Sequence, residues 1–111
     1  MTWTADDQVM AELRNWLIEQ GFVVLADEYH ADAFGNQEVT LARPVAIRLV
    51  KDRSQWYVEA CGRDGQWRPL AVWDEAMGHG RPTDYSAPAE AERLRRLLRE
   101  VELRPDAADG R

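Results

Sequence analysis

The chain has 111 residues, 45% of them hydrophobic and 31% charged, with a formal net charge of −6. That length holds one hydrophobic core and excludes a second domain of ordinary size, and the composition excludes a disordered chain. The acidic balance speaks against non-specific nucleic-acid binding and against docking on anionic membranes.

Residues 4–20 read as an amphipathic helix. Thr4 is placed to cap it, and Asp6 and Asp7 fall in the first turn, where negative charge meets the positive end of the helix dipole. Val9, Leu13, Trp16, Leu17 and Gln20 keep helical spacing, with Met10 on the flank. Gly21 stands where a C-terminal cap belongs. Residues 22–27 form a short apolar run that predicts a strand. Residues 28–36 show no period and read as a loop ending in a Gly35-Asn36 turn.

Residues 37–42 alternate, with Val39 and Leu41 on one face. Pro44 cannot donate to a ladder, so it marks a strand end or an edge, and an edge there would be open to pairing with another chain. Residues 45–51 alternate again through Val45, Ile47 and Leu49, and Asp52-Arg53 reads as a tight turn. Residues 54–61 give the next strand, with Trp56, Val58 and Ala60 on one side and Gln55, Tyr57, Glu59 and Cys61 on the other. Asp64-Gly65 is a turn signal. Gln66 to Arg68 fit either a short fifth strand or an extended approach to the next helix. Residues 69–78 fit one or two helical turns, which the segment from Gly78 to Pro82 breaks. Ser86 reads as a cap with Pro88 in the first turn, followed by the stripe Leu94, Leu97, Leu98 and Val101.

A helix, a run of antiparallel strands and two closing helices make an α+β fold. The expected architecture is an N-terminal helix, a sheet of four to five strands, and one short and one longer C-terminal helix. A single domain spans 1–111, with an ordered core over 4–104 and a frayed tail over 105–111.

No catalytic constellation emerges. Cys61 is the only cysteine, so it forms no intrachain disulfide, and no histidine lies near it in sequence to activate it. His30 among Asp27, Glu28 and Asp32 has no recognised metal-ligand spacing. His79 sits between two glycines. Solvated loop groups account for both. No cofactor or metal is expected. Arg93, Arg95, Arg96 and Arg99 alternate with glutamates and read as a solvated helix face with local ion pairs. No apolar run approaches the ~20 residues that span a bilayer. The acidic first residues lack a basic and then apolar signal segment, so the expected address is cytoplasmic.

The chain carries five tryptophans. Trp16, Trp56 and Trp73 follow core positions. Trp67 and Tyr57 alternate differently and are expected to face solvent or a partner, where aromatic side chains anchor protein interfaces.

Residues 34–78 carry a resemblance. Phe34-Gly35-Asn36 precedes an alternating strand. The run Val45-Ala46-Ile47-Arg48-Leu49-Val50-Lys51-Asp52-Arg53-Ser54-Gln55-Trp56-Tyr57-Val58-Glu59 follows, and then Gly65-Gln66-Trp67-Arg68-Pro69-Leu70-Ala71-Val72-Trp73. This middle part of the chain resembles small bacterial immunity proteins of polymorphic toxin systems. Ser54 departs from that pattern, which has glycine there, and the departure touches turn geometry and not chemistry. The resemblance implies a protein without catalysis that binds and neutralises a cognate toxin domain in the cytoplasm, by occlusion or by holding it inactive.

An acidic surface would speed encounter with a basic toxin such as a nuclease. The exposure pattern nominates Asp27, Glu28, Tyr29 and Asp32 on one loop, with Tyr57, Glu59 and Trp67 from one sheet face, as the toxin-binding surface. Two rivals stay open: a secretion chaperone or adaptor that binds without inhibiting, and a small enzyme or metal protein using His30 or Cys61. Oligomeric state is left open.

Overall fold

The computed structural model describes residues 4–30, 35–43, 45–80 and 82–103, with side chains as far as residue 100. The frayed tail expected over 105–111 lies outside them. The elements are helix α1 (Ala5–Glu19), strands β1 (Val23–His30), β2 (Asn36–Ala42), β3 (Ala46–Asp52), β4 (Gln55–Cys61) and β5 (Trp67–Pro69), and helices α2 (Leu70–Ala76) and α3 (Ala87–Leu103). The strands form one antiparallel meander in the order β1-β2-β3-β4-β5. This is the α+β architecture that the alternation predicts.

Local chemistry sets the helix ends. The Thr4 side chain accepts from the Asp7 amide at 3.1 Å, and Asp7 accepts from the Thr4 amide at 2.9 Å, a reciprocal capping box. At the other end Gly21 adopts φ +97°, its amide donates to the Ile18 carbonyl, and the Phe22 amide donates to Leu17. That double bond pattern is the Schellman cap, and only glycine enters its left-handed step freely. Ser86 caps α3 by accepting from the Ala89 amide at 3.3 Å.

The core lies on one face of the sheet. Val39 and Leu41 from β2, Ile47 and Leu49 from β3, and Val58 and Ala60 from β4 pack against Met10, Leu13 and Leu17 of α1 and against Leu94, Leu97 and Leu98 of α3. Trp73 of α2 closes the β4 side, 2% exposed, and its indole N–H donates to the Ala60 carbonyl at 3.2 Å. Trp16 and Trp56 are half-buried against the same core.

Four expectations need correction. First, the loop expected over 28–36 is shorter, because β1 continues through Glu28, Tyr29 and His30, paired with Glu38, Gln37 and Asn36. An edge strand with seven of its eight residues exposed carries no burial period to read. Second, the register of β1 shifts between Val24 and Ala26, so Leu25 is the extra residue of a bulge. Third, of the two readings at Pro44 the strand end holds and the edge does not: β2 ends at Ala42 and β3 begins at Ala46, and both are interior strands; Pro44 itself lies outside the described residues. Fourth, Arg93 is not part of a solvated face. It is 7% exposed, held between Asp74 of α2 at 3.0 Å and Glu90 at 3.1 Å.

Candidate functional site

The sheet has two unlike faces. The helices cover the face that carries the core. Among the described residues no helix covers the other, here called the outer face. Cross-strand register orders it in rows. Glu28, Glu38, Val50 and Tyr57 form one row across β1 to β4, and Ala26, Thr40, Arg48, Glu59 and Pro69 form the next across β1 to β5. Trp67 lies opposite Cys61 at the β5 end.

Arg48 organises this face. Its Nε and Nη2 donate to Glu59 Oε1 at 2.9 and 2.6 Å, and its Nη1 lies 3.5 Å from Glu38. Its guanidinium carbon sits 4.3 Å from the centroid of the Trp67 ring. Burial pushes the Tyr57 hydroxyl up from its ordinary value, and the charges of Glu59 and Asp52 push it the same way. The phenol therefore stays neutral and able to donate. A half-buried arginine held by one tryptophan and two carboxylates is a rigid, amphipathic surface.

Glu28 completes the row differently. It stands directly opposite Glu38 and has no basic partner among the described residues. Like charges directly opposed destabilise a sheet by a fraction of a kcal/mol, up to ~1 kcal/mol.

Strand alternation splits the surface expected from sequence, and the bulge at Leu25 sets which residues face α1. Glu28 joins Tyr57, Glu59 and Trp67 on the outer face. Asp27 and Tyr29 instead share the helix-side face with Val39 and Gln37. Asp27 accepts from Arg14 of α1 at 2.8 Å and from Gln37 at 3.0 Å. The Gln37 bond, followed by Arg14, holds its carboxyl below the usual carboxylate range against the opposing effect of burial. Asp32 lies outside the described residues. Arg48 and Glu38 were missed in the sequence. The tight turn expected at Asp52-Arg53 falls one residue later, at Arg53-Ser54, and that register sets Arg48 opposite Glu59.

Tyr29 lines a cleft of about 270 Å³ between α1 and the sheet, together with Asp7, Arg14, Lys51 and Trp56 over a floor of Met10, Val39 and Leu49. Its chemistry is occupied with structure. Asp7 Oδ1 accepts from Lys51 Nζ at 2.8 Å and from Trp56 Nε1 at 2.9 Å. Burial pushes the Asp7 carboxyl up, but the bonds from Lys51, the Thr4 amide and Trp56 outweigh it and hold it well below the carboxylate range.

Cys61 and the two histidines are not brought together. Cys61 lies on β4 with its Sγ 3.5 Å from the Gly62 carbonyl. His30 ends β1, and the His79 ring lies 2.8 Å from Glu100. Among the described residues no three His, Cys, Asp or Glu side chains gather as metal ligands, and no helix is long and apolar enough to cross a membrane. No protein-family model, no curated protein and no solved structure matches the chain.

Proposed function

We propose that this chain is a binding protein of the immunity type, which docks on a cognate toxin domain through its outer sheet face and neutralises it without chemistry of its own. The observation that carries the reading is the Arg48–Trp67–Tyr57–Glu59 cluster, an ordered aromatic and charged surface on a sheet face that no described helix covers. An antiparallel sheet tolerates one wet face, and the charged residues here fit that, but the half-buried Trp67 and Tyr57 beside them add aromatic surface that a merely solvated face does not need. Tryptophan, tyrosine and arginine together are the residue types that dominate binding energy at protein interfaces. The charge supports a basic partner: the chain carries −6, and Glu28, Glu38 and Glu59 stand around the cluster, with Arg48 paired to Glu38 and Glu59.

The test is co-expression with the product of the gene immediately upstream in the source genome. The expected result is a toxic neighbour, host survival when this chain is present, and co-purification of the two. A stable complex with a neighbour that is harmless alone would favour the adaptor reading. A toxic neighbour that this chain neither binds nor silences would overturn the proposal.

A further inference from the structure

Taking the binding reading as its premise, we infer that β1 receives an extended basic segment of the partner as a sixth strand of the sheet. The two ends of the sheet differ. β5 has three residues and runs straight into α2, so it offers little edge. β1 has eight residues, pairs only with β2, and leaves its other side open among the described residues. An open edge is a row of unpaired main-chain donors and acceptors, and proteins ordinarily blunt it with proline, lysine or a covering element. β1 has neither proline nor lysine. It shows Val23 and Leu25 at 62% and 63% exposure.

Charge selects the occupant. Asp27 is already held by Arg14 and Gln37, but among the described residues Glu28 faces Glu38 on the outer face without a cation of its own. A strand laid along β1 with lysine or arginine beside Glu28 would relieve that pairing, while its apolar residues cover Val23 and Leu25. Alternate side chains of the added strand would extend the Glu28, Glu38, Val50, Tyr57 row, so strand addition and face docking form one surface. A second copy of this chain is the poorer occupant, since it brings another acidic strand from a molecule of charge −6.

The test uses the full chain and a short blocked peptide with lysines at the end that lies beside Glu28 and valines at the end that lies beside Val23 and Leu25, followed by amide NMR and hydrogen exchange. Two controls accompany it: the same peptide with prolines for valines, which keeps the charge but cannot pair, and one with glutamates for lysines. The expected result is shift changes along Val23–His30 and about tenfold slower exchange there with the lysine–valine peptide alone. Glu28→Lys should weaken that binding about tenfold and leave the fold intact, because it replaces an acid opposite Glu38 with a cation.

Equal binding of the proline peptide, or shifts confined to other elements, would overturn the inference. So would a concentration-dependent dimer of the free protein that Leu25→Lys abolishes. Failure of the co-expression test with strand addition intact removes the immunity reading alone; rescue in co-expression with β1 unresponsive removes the edge inference alone.

Discussion

Arg48 is stacked at 4.3 Å on the ring of Trp67 while it donates twice to Glu59. The stack fixes two rotamer-rich side chains on a face that nothing in the described fold covers. Fixing them before binding lowers the entropy cost of association. Trp67→Ala should therefore lower folding stability by about 1–2 kcal/mol, the size of a half-buried cation–π contact. It should weaken the complex with the co-purified partner by about 2 kcal/mol or more, near thirtyfold. Denaturant unfolding and titration calorimetry measure the two effects separately. Equal affinity of the variant and the parent chain would remove Trp67 from the interface.

Asp7 carries more structure than a capping residue normally does. It closes the α1 capping box and also accepts from Lys51 and Trp56, so one carboxylate ties the first helix to β3 and β4. Asp7→Asn should cost about 3 kcal/mol, because it strands the largely buried Lys51 charge. The pH dependence has a definite sign. The folded carboxyl titrates below the unfolded one, whose value is about 3.9. Its contribution is complete above that value and is lost as the pH falls through the folded range. The parent chain should lose stability steeply below about pH 4, and the Asp7→Asn chain more gently. Parallel acid-unfolding curves would contradict this.

Asp74 joins the two C-terminal helices. It forms an ion pair with Arg93 at 3.0 Å and accepts from Arg96 at 2.8 Å while itself 2% exposed. Removing one member of a buried ionic set leaves an uncompensated charge. Asp74→Ala should cost about 3–5 kcal/mol, and pairing it with Arg93→Leu should recover part of that loss. Chemical denaturation of the single and double variants tests the coupling; strictly additive losses would contradict it.

The β3–β4 turn stores strain. Arg53 and Ser54 take φ +51° and +70°, the left-handed region that suits glycine at the centre of a two-residue hairpin. The Arg53 amide is held by Asn36 Oδ1 at 2.9 Å, which anchors the turn to β2. Ser54→Gly should raise stability by about 1 kcal/mol. A lower thermal midpoint for this variant would show that the turn has another support.

What was legible in the sequence was local. Thr4, Gly21 and Ser86 announce helix ends because capping works within three or four residues. The alternation at Val39, Leu41, Ile47, Leu49, Val58 and Ala60 announces strands with one buried face. What was not legible was set by pairing at a distance. The bulge at Leu25 turns Asp27 and Tyr29 toward α1 and leaves Glu28 outside, and no turn or period in 22–30 signals it. Lys51 and Arg93 look like surface charges until Asp7 and Asp74, 44 and 19 positions away in the numbering, arrive beside them. For the same reason the candidate surface was half legible. Tyr57, Glu59 and Trp67 follow from alternation within one hairpin, whereas the division of β1 between the two faces needs the register.

The most direct test of the central claim compares rescue by two chains in a host expressing the upstream gene product. One is the parent chain, and the other carries Tyr57→Ala and Trp67→Ala on the outer face, with folding checked by circular dichroism. Survival and a recoverable complex are expected with the parent chain, and loss of both with the folded outer-face variant. Full rescue by the outer-face variant would contradict that claim.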